Sequence, residues 1–113
     1  MTILTIDWRL LTNNEEVINA QNKIVEYAND IIKYTDEYGI HEVDICNKIY
    51  IKKSPDNIFK IDFDNNLLTI SFDSQTLKFD IQSEFNEINN GWQLCYSLGE
   101  EQQVIEIIRK EEI

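Results

Sequence analysis

His41 is the one imidazole in this 113-residue chain and its only side chain that ordinarily titrates near neutral pH. Glu42 and Asp44 follow it, and Cys46 and Cys95 are the only thiols that could form a Cys–His pair with it. Cys46 lies in a strand-like alternation, and Cys95 sits between Leu94 and Tyr96. Thiols buried in apolar surroundings stay protonated and inert. The reading therefore puts His41 on the surface, at a junction between a helix and a strand, and assigns no catalytic residue.

Metal chemistry finds little support. A zinc site needs three or four Cys or His ligands at short spacing, and the three such residues here are scattered. Asp62-Phe63-Asp64-Asn65-Asn66 has the D-x-D-x-N form of a calcium loop, with Asp73 as its twelfth position. The sixth position is Leu67, where that loop turns on glycine, so a plain hairpin turn is the better reading. Gly39, Gly91 and Gly99 are isolated, and no phosphate-cradling glycine motif occurs. No metal, no cofactor and no enzymatic activity are expected.

The elements that would carry these residues follow from periodicity. Residues 2–10 alternate weakly, as a short strand would. Thr12-Asn13-Asn14-Glu15 has the form of a capping box. From there Val17, Ile24, Ile31 and Tyr38 recur every seven residues, as do Ile18, Val25 and Ile32, which predicts an amphipathic helix over about 13–38 ending at Gly39. The middle of the chain changes period. Val43, Ile45, Ile49 and Ile51 share one parity, and Phe59–Phe63, Leu68–Phe72 and Leu77–Ile81 alternate apolar with polar residues between turns. Ser83–Asn90 reads as a short helix or turn, Trp92–Tyr96 as a fifth strand, and Ser97-Leu98-Gly99-Glu100 as the cap of a terminal helix. The expected fold is a single α+β domain over 1–113. It is an antiparallel meander of about four or five strands, covered on one face by the long N-terminal helix, with a short C-terminal helix.

Charge narrows the function. Acids outnumber bases 21 to 10, for a formal net charge of −11. Such a balance disfavours binding to nucleic acid or to an anionic membrane, both of which need clustered Lys and Arg. Lys48, Lys52, Lys53 and Lys60 form the one basic patch, beside the Pro55 turn. No apolar run approaches the roughly 20 residues that cross a bilayer, and the N-terminus lacks the pattern of a signal peptide. A cytoplasmic protein with free thiols is expected.

In size, charge and composition the chain resembles the bacterial immunity proteins that neutralise toxins, and the small anti-restriction and anti-CRISPR inhibitors of phages. That resemblance implies a stoichiometric inhibitor that meets a basic nuclease, toxin or defence effector and mimics the charge of nucleic acid. The expected contacts pair acids with aromatics: Glu26, Asp30, Tyr34, Asp36, Glu37 and Tyr38 on the helix, with Asp62, Asp64, Asp73 and Asp80 on the polar sheet face. Trp8 and Trp92 are assigned to the core. The competing expectation is a non-inhibitory assembly module forming a homodimer; monomer and dimer both remain open.

Overall fold

The computed structural model describes residues 1–113 and contains no helix, so none is long and apolar enough to cross a membrane. Eleven strands form one antiparallel sheet: β1 (Thr2–Thr12), β2 (Glu15–Ala28), β3 (Ile31–Asp36), β4 (Gly39–Asp44), β5 (Ile49–Lys53), β6 (Ile58–Asp62), β7 (Leu67–Phe72), β8 (Gln75–Asp80), β9 (Ser83–Ile88), β10 (Gly91–Leu98) and β11 (Glu101–Glu112). Their order across the sheet is β8-β7-β6-β5-β4-β3-β2-β1-β11-β10-β9. Chain neighbours are sheet neighbours almost throughout, and β11 returns to pair with β1. The fold is all-β, not α+β.

The expected helix over 13–38 is instead the rest of a hairpin and the strand that follows. Asn13 and Asn14 both hold positive φ, 51° and 67°, and Thr12 pairs directly with Glu15. That is a two-residue primed turn, for which Asn is well suited and whose twist matches the flanking strands. The apparent capping box is this turn. Asn29 and Asp30 repeat the geometry between β2 and β3, at φ 54° and 62°. Within β2, Asn22 also takes φ 54°, and the register against β1 slips there.

These irregularities explain the seven-residue repeat. In a regular strand a seven-residue step moves a side chain to the opposite face. The step from Ile18 to Val25 crosses the bulge at Asn22, and the step from Val25 to Ile32 crosses the Asn29-Asp30 turn. Each adds one change of parity, so Ile18, Val25 and Ile32 all return to the inner face while Val17 and Ile24 stay 60% and 67% exposed.

The other helical expectations fail for similar reasons. Ser97-Leu98-Gly99-Glu100 ends β10 and turns into β11, with Gly99 at φ 60° and Leu98 paired to Glu101. Ser83–Ile88 is an edge strand, and in β11 Gln103, Ile105 and Ile107 are buried alternately. The meander between 39 and 81 is present, but Val43 and Ile49 belong to separate strands, with Lys48 at φ 55° in the turn between them.

Without a helix to cover it, the sheet covers itself. Inner-face side chains align in rows, such as Ile32, Val43, Tyr50, Ile61 and Leu68 across β3 to β7. The sheet curls until this row faces Leu4, Ile6, Trp8, Trp92, Leu94, Ile105 and Ile107 from the other half, forming one core. Phe63 meets Phe85 edge-on at 5.5 Å, and Phe59 approaches Tyr96 at 6.1 Å between ring centres. One end of the curl is tied where β8 bends into β9. There the Ile81 N–H donates to Asn66 and the Ser97 N–H to the carbonyl of Gln82, at 2.9 and 3.0 Å. The sheet stays open elsewhere, because β2 pairs with β3 only over Glu26–Ala28.

Candidate functional site

The inner face is mostly apolar; its buried polar residues are His41, which β4 and β5 bring side by side with Lys52, and Gln103 on β11. His41 is 5% exposed, not a surface residue. Its ring lies between those of Tyr34 and Tyr50, at 5.6 and 6.0 Å with interplanar angles of 19° and 9°, and Trp8 packs against it at 4.9 Å. Both ring nitrogens are engaged: Nδ1 lies 2.7 Å from the Tyr50 hydroxyl and Nε2 lies 2.9 Å from Asp36 Oδ1.

Burial lowers the His41 pKa from its ordinary value, against the opposing hydrogen bond and charge of Asp36; the nearby Lys52 lowers it further. The ring is therefore neutral near pH 7, and the network assigns its tautomer. Nε2–H donates to the Asp36 carboxylate, and Nδ1 accepts from the Tyr50 O–H. Burial also raises the Tyr50 pKa well above the usual phenol range, helped by Tyr96 and Asp36. This Asp–His–Tyr chain has the order of a catalytic triad, but its terminal phenol is held protonated. Its evident effect is to fix the β3–β4 hairpin, where Asp36 also accepts the Tyr38 N–H at 2.9 Å.

Above this network opens a cavity of about 280 Å³, ten of whose thirteen lining residues are apolar or aromatic. Trp8, His41, Tyr50, Tyr96, Gln103 and Ile105 are its most deeply buried members, and Val17 and Tyr38 stand exposed at its rim. Phe59, Leu10, Ile18 and Leu98 complete the apolar wall. Gln103 is locked, accepting from the Thr12 hydroxyl at 2.8 Å and donating to Glu101 at 3.1 Å. Lys52 is the only charged side chain in the lining besides the titratable His41, and no carboxylate contributes to it. The Lys52 ammonium sits 5.6 Å from the centre of the Phe59 ring, without an ion-pair partner. Lys48 and Lys53, from the same basic patch, face Asp64 and Glu42 at 3.9 and 3.4 Å.

The ten expected contact residues do not gather on one surface. Strand polarity puts Asp36, Glu37, Tyr38 and Asp73 toward one end of the sheet, and Glu26, Asp30, Asp62, Asp64 and Asp80 toward the other. Tyr34 is core, 5% exposed. Several of the acids have local partners: Asp30 accepts from the Tyr27 hydroxyl, and Asp62 caps its own turn through the backbone and side chain of Asn65. The D-x-D-x-N segment is that β6–β7 turn. Cys46 is exposed in the β4–β5 turn; Cys95 is half-buried, with its thiol pushed up by burial and then by Glu84 and Glu106. Neither thiol replaces Asp36 or Tyr50 as a partner of His41.

Sequence reasoning missed Tyr50, Lys52, Phe59 and Tyr96. A usable signal was present: in Tyr50-Ile51-Lys52 the inward parity carries Tyr and Lys, and the isoleucines that suggested the opposite parity are only half-buried.

Fold and site together define a class: a single curled antiparallel sheet enclosing an apolar, aromatic cleft with one unpaired cation. Comparison with known families, curated proteins and solved structures returns no match for this chain.

Proposed function

We propose that this protein is a non-enzymatic binding module that holds a small apolar molecule in the cleft above His41. The observation that carries this reading is the apolar cavity between Trp8, Phe59 and Tyr96, whose lining is that of a ligand site and whose volume suits a small one. The Asp36–His41–Tyr50 chain supports binding rather than catalysis, because it fixes the cavity wall and leaves no imidazole nitrogen free. A neutral solvatochromic dye such as Nile red tests the proposal. It is expected to gain fluorescence and bind one per chain, with a dissociation constant on the order of 10 µM. Phe59→Ala is expected to weaken binding about tenfold, since it removes one aromatic wall. Equal dye binding by the parent and by Phe59→Ala would remove the proposal's support.

The second proposal is the acidic inhibitor, favoured by the net charge of −11. It predicts a basic protein partner held in a salt-sensitive complex. That complex would form equally well with Phe59→Ala, so the same variant separates the two proposals.

A further inference from the structure

We infer that the molecule the cleft takes is an elongated aliphatic anion, whose oxyanion head meets Lys52 and Tyr96 and whose tail runs across Leu98. The inference rests on the binding reading above and names its ligand class. Three observations carry it.

The first is charge. In a chain with 21 acids and 10 bases, the one fixed charge lining this cavity is positive and lacks a carboxylate partner. An ammonium over an aromatic ring in an apolar wall gains most from an anion brought in beside it.

The second is the Tyr96 hydroxyl. Tyr96 is 6% exposed, lines the cavity and has no hydrogen-bond partner in the protein, while Tyr50 beside it spends its proton on His41. No fully enclosed side-chain polar atom lacks a partner, so this hydroxyl faces the open space of the cleft. It stays protonated, because burial raises its pKa. It is thus a donor without an acceptor in the same lining as Lys52, and an oxyanion in the cleft would meet it as a second polar group.

The third is length. Leu98 also borders a second cavity of about 430 Å³, with Leu68, Ile70, Phe79 and Ile81 on its other wall. Phe79 and the neighbouring Leu77, on the same face of β8, are 45% and 44% exposed. Leu98 is common to both linings, and a methylene chain laid across it would meet Leu68 and Ile70, with Asp80 the one charged side chain of the second lining.

Decanoate, decanol and decyltrimethylammonium share a tail and differ in the head. Titrated at pH 8 below their micellar concentrations, they should rank decanoate first, about tenfold tighter than decanol, with the cation weakest. Lys52→Met is expected to abolish decanoate's advantage while leaving decanol binding within about twofold, and Tyr96→Phe to reduce it by several-fold. Lys52→Arg, which keeps the charge, is expected to keep the preference; circular dichroism verifies each variant's fold. If decanol binds as well as decanoate, the anion inference is overturned while the apolar cleft stands. If decanoate is preferred but Lys52→Met preserves that preference, the head is not at Lys52 and the inference is likewise overturned. If none of the three binds, the binding reading falls with it.

Discussion

Replacing Trp8 with alanine is expected to cost about 3–5 kcal/mol, the usual range for deleting a buried tryptophan. Against a total stability of about 5–15 kcal/mol for a domain, that removes a third or more of the stability over most of this range. Trp8 is 2% exposed on β1, the strand that joins the two halves of the sheet, with β2 on one side and β11 on the other. Its ring touches Tyr34 at 5.2 Å, His41 at 4.9 Å and Tyr50 at 6.2 Å, so one deletion opens a void beneath the whole aromatic cluster. No helix lies behind it to collapse into the gap. Thermal melts should show the midpoint fall by about 15 °C or more. Val17→Ala, at an exposed rim position, should stay within about 0.5 kcal/mol of the parent. A similar loss from both variants would mean that the sheet is not closed over Trp8.

The second large effect concerns His41. His41→Phe keeps a flat ring between Tyr34 and Tyr50 but leaves the Tyr50 hydroxyl without a partner and takes one of two donors from Asp36, which keeps the Tyr38 N–H. An orphaned buried polar group costs about 1–3 kcal/mol and a lost hydrogen bond to a charged group adds to it, so a loss of about 2–4 kcal/mol is expected at pH 7.5. Adding Tyr50→Phe removes one orphan and should recover part of that loss, a coupling that a double-mutant cycle reads directly.

The pH dependence has a definite sign. An unfolded histidine takes up its proton as pH falls through about 6.5, whereas the buried ring does so only at lower pH. Within that interval the unfolded chain binds more protons, so the parent loses stability as pH falls from 7.5 toward 5.5. The contribution is fully present above the unfolded value and declines below it, down to the folded one. Urea midpoints of His41→Phe should lack this component of the slope. An identical slope in both proteins would mean that His41 is not buried as a neutral ring.

How much of this could be read from the chain depends on where parity survives. Between Phe59 and Ile81 the strands are short and regular, the turns are polar, and alternation located β6, β7 and β8 closely. In β2 one asparagine in the left-handed region and a two-residue turn shifted the parity twice, and the resulting spacing of seven imitated a helix. Asn13-Asn14 was ambiguous in itself, because the same residue types cap helices and make primed turns; the φ values decide.

The site was harder still. The sequence pattern places Asp36 and Tyr38 on a helix surface, yet Asp36 points to His41 and Tyr38 stands at the cavity rim. Lys52 belongs to the basic patch in sequence, but strand alternation turns it to the inner face beside His41, while Lys53 faces outward and Lys48 sits in the turn. Cross-sheet meetings such as Phe59 with Tyr96 depend on curvature, which a one-dimensional pattern does not carry.

The most direct test of a ligand cleft over Trp8 is quenching by an aliphatic carboxylate that carries bromine on its chain. It is measured in a Trp92→Phe background, so that Trp8 is the sole tryptophan. Saturable, one-to-one quenching of Trp8, competed away by unlabelled decanoate, is the expected result. Fluorescence that stays constant, or falls only in proportion to bulk quencher, would contradict a cleft that admits a small molecule to that ring.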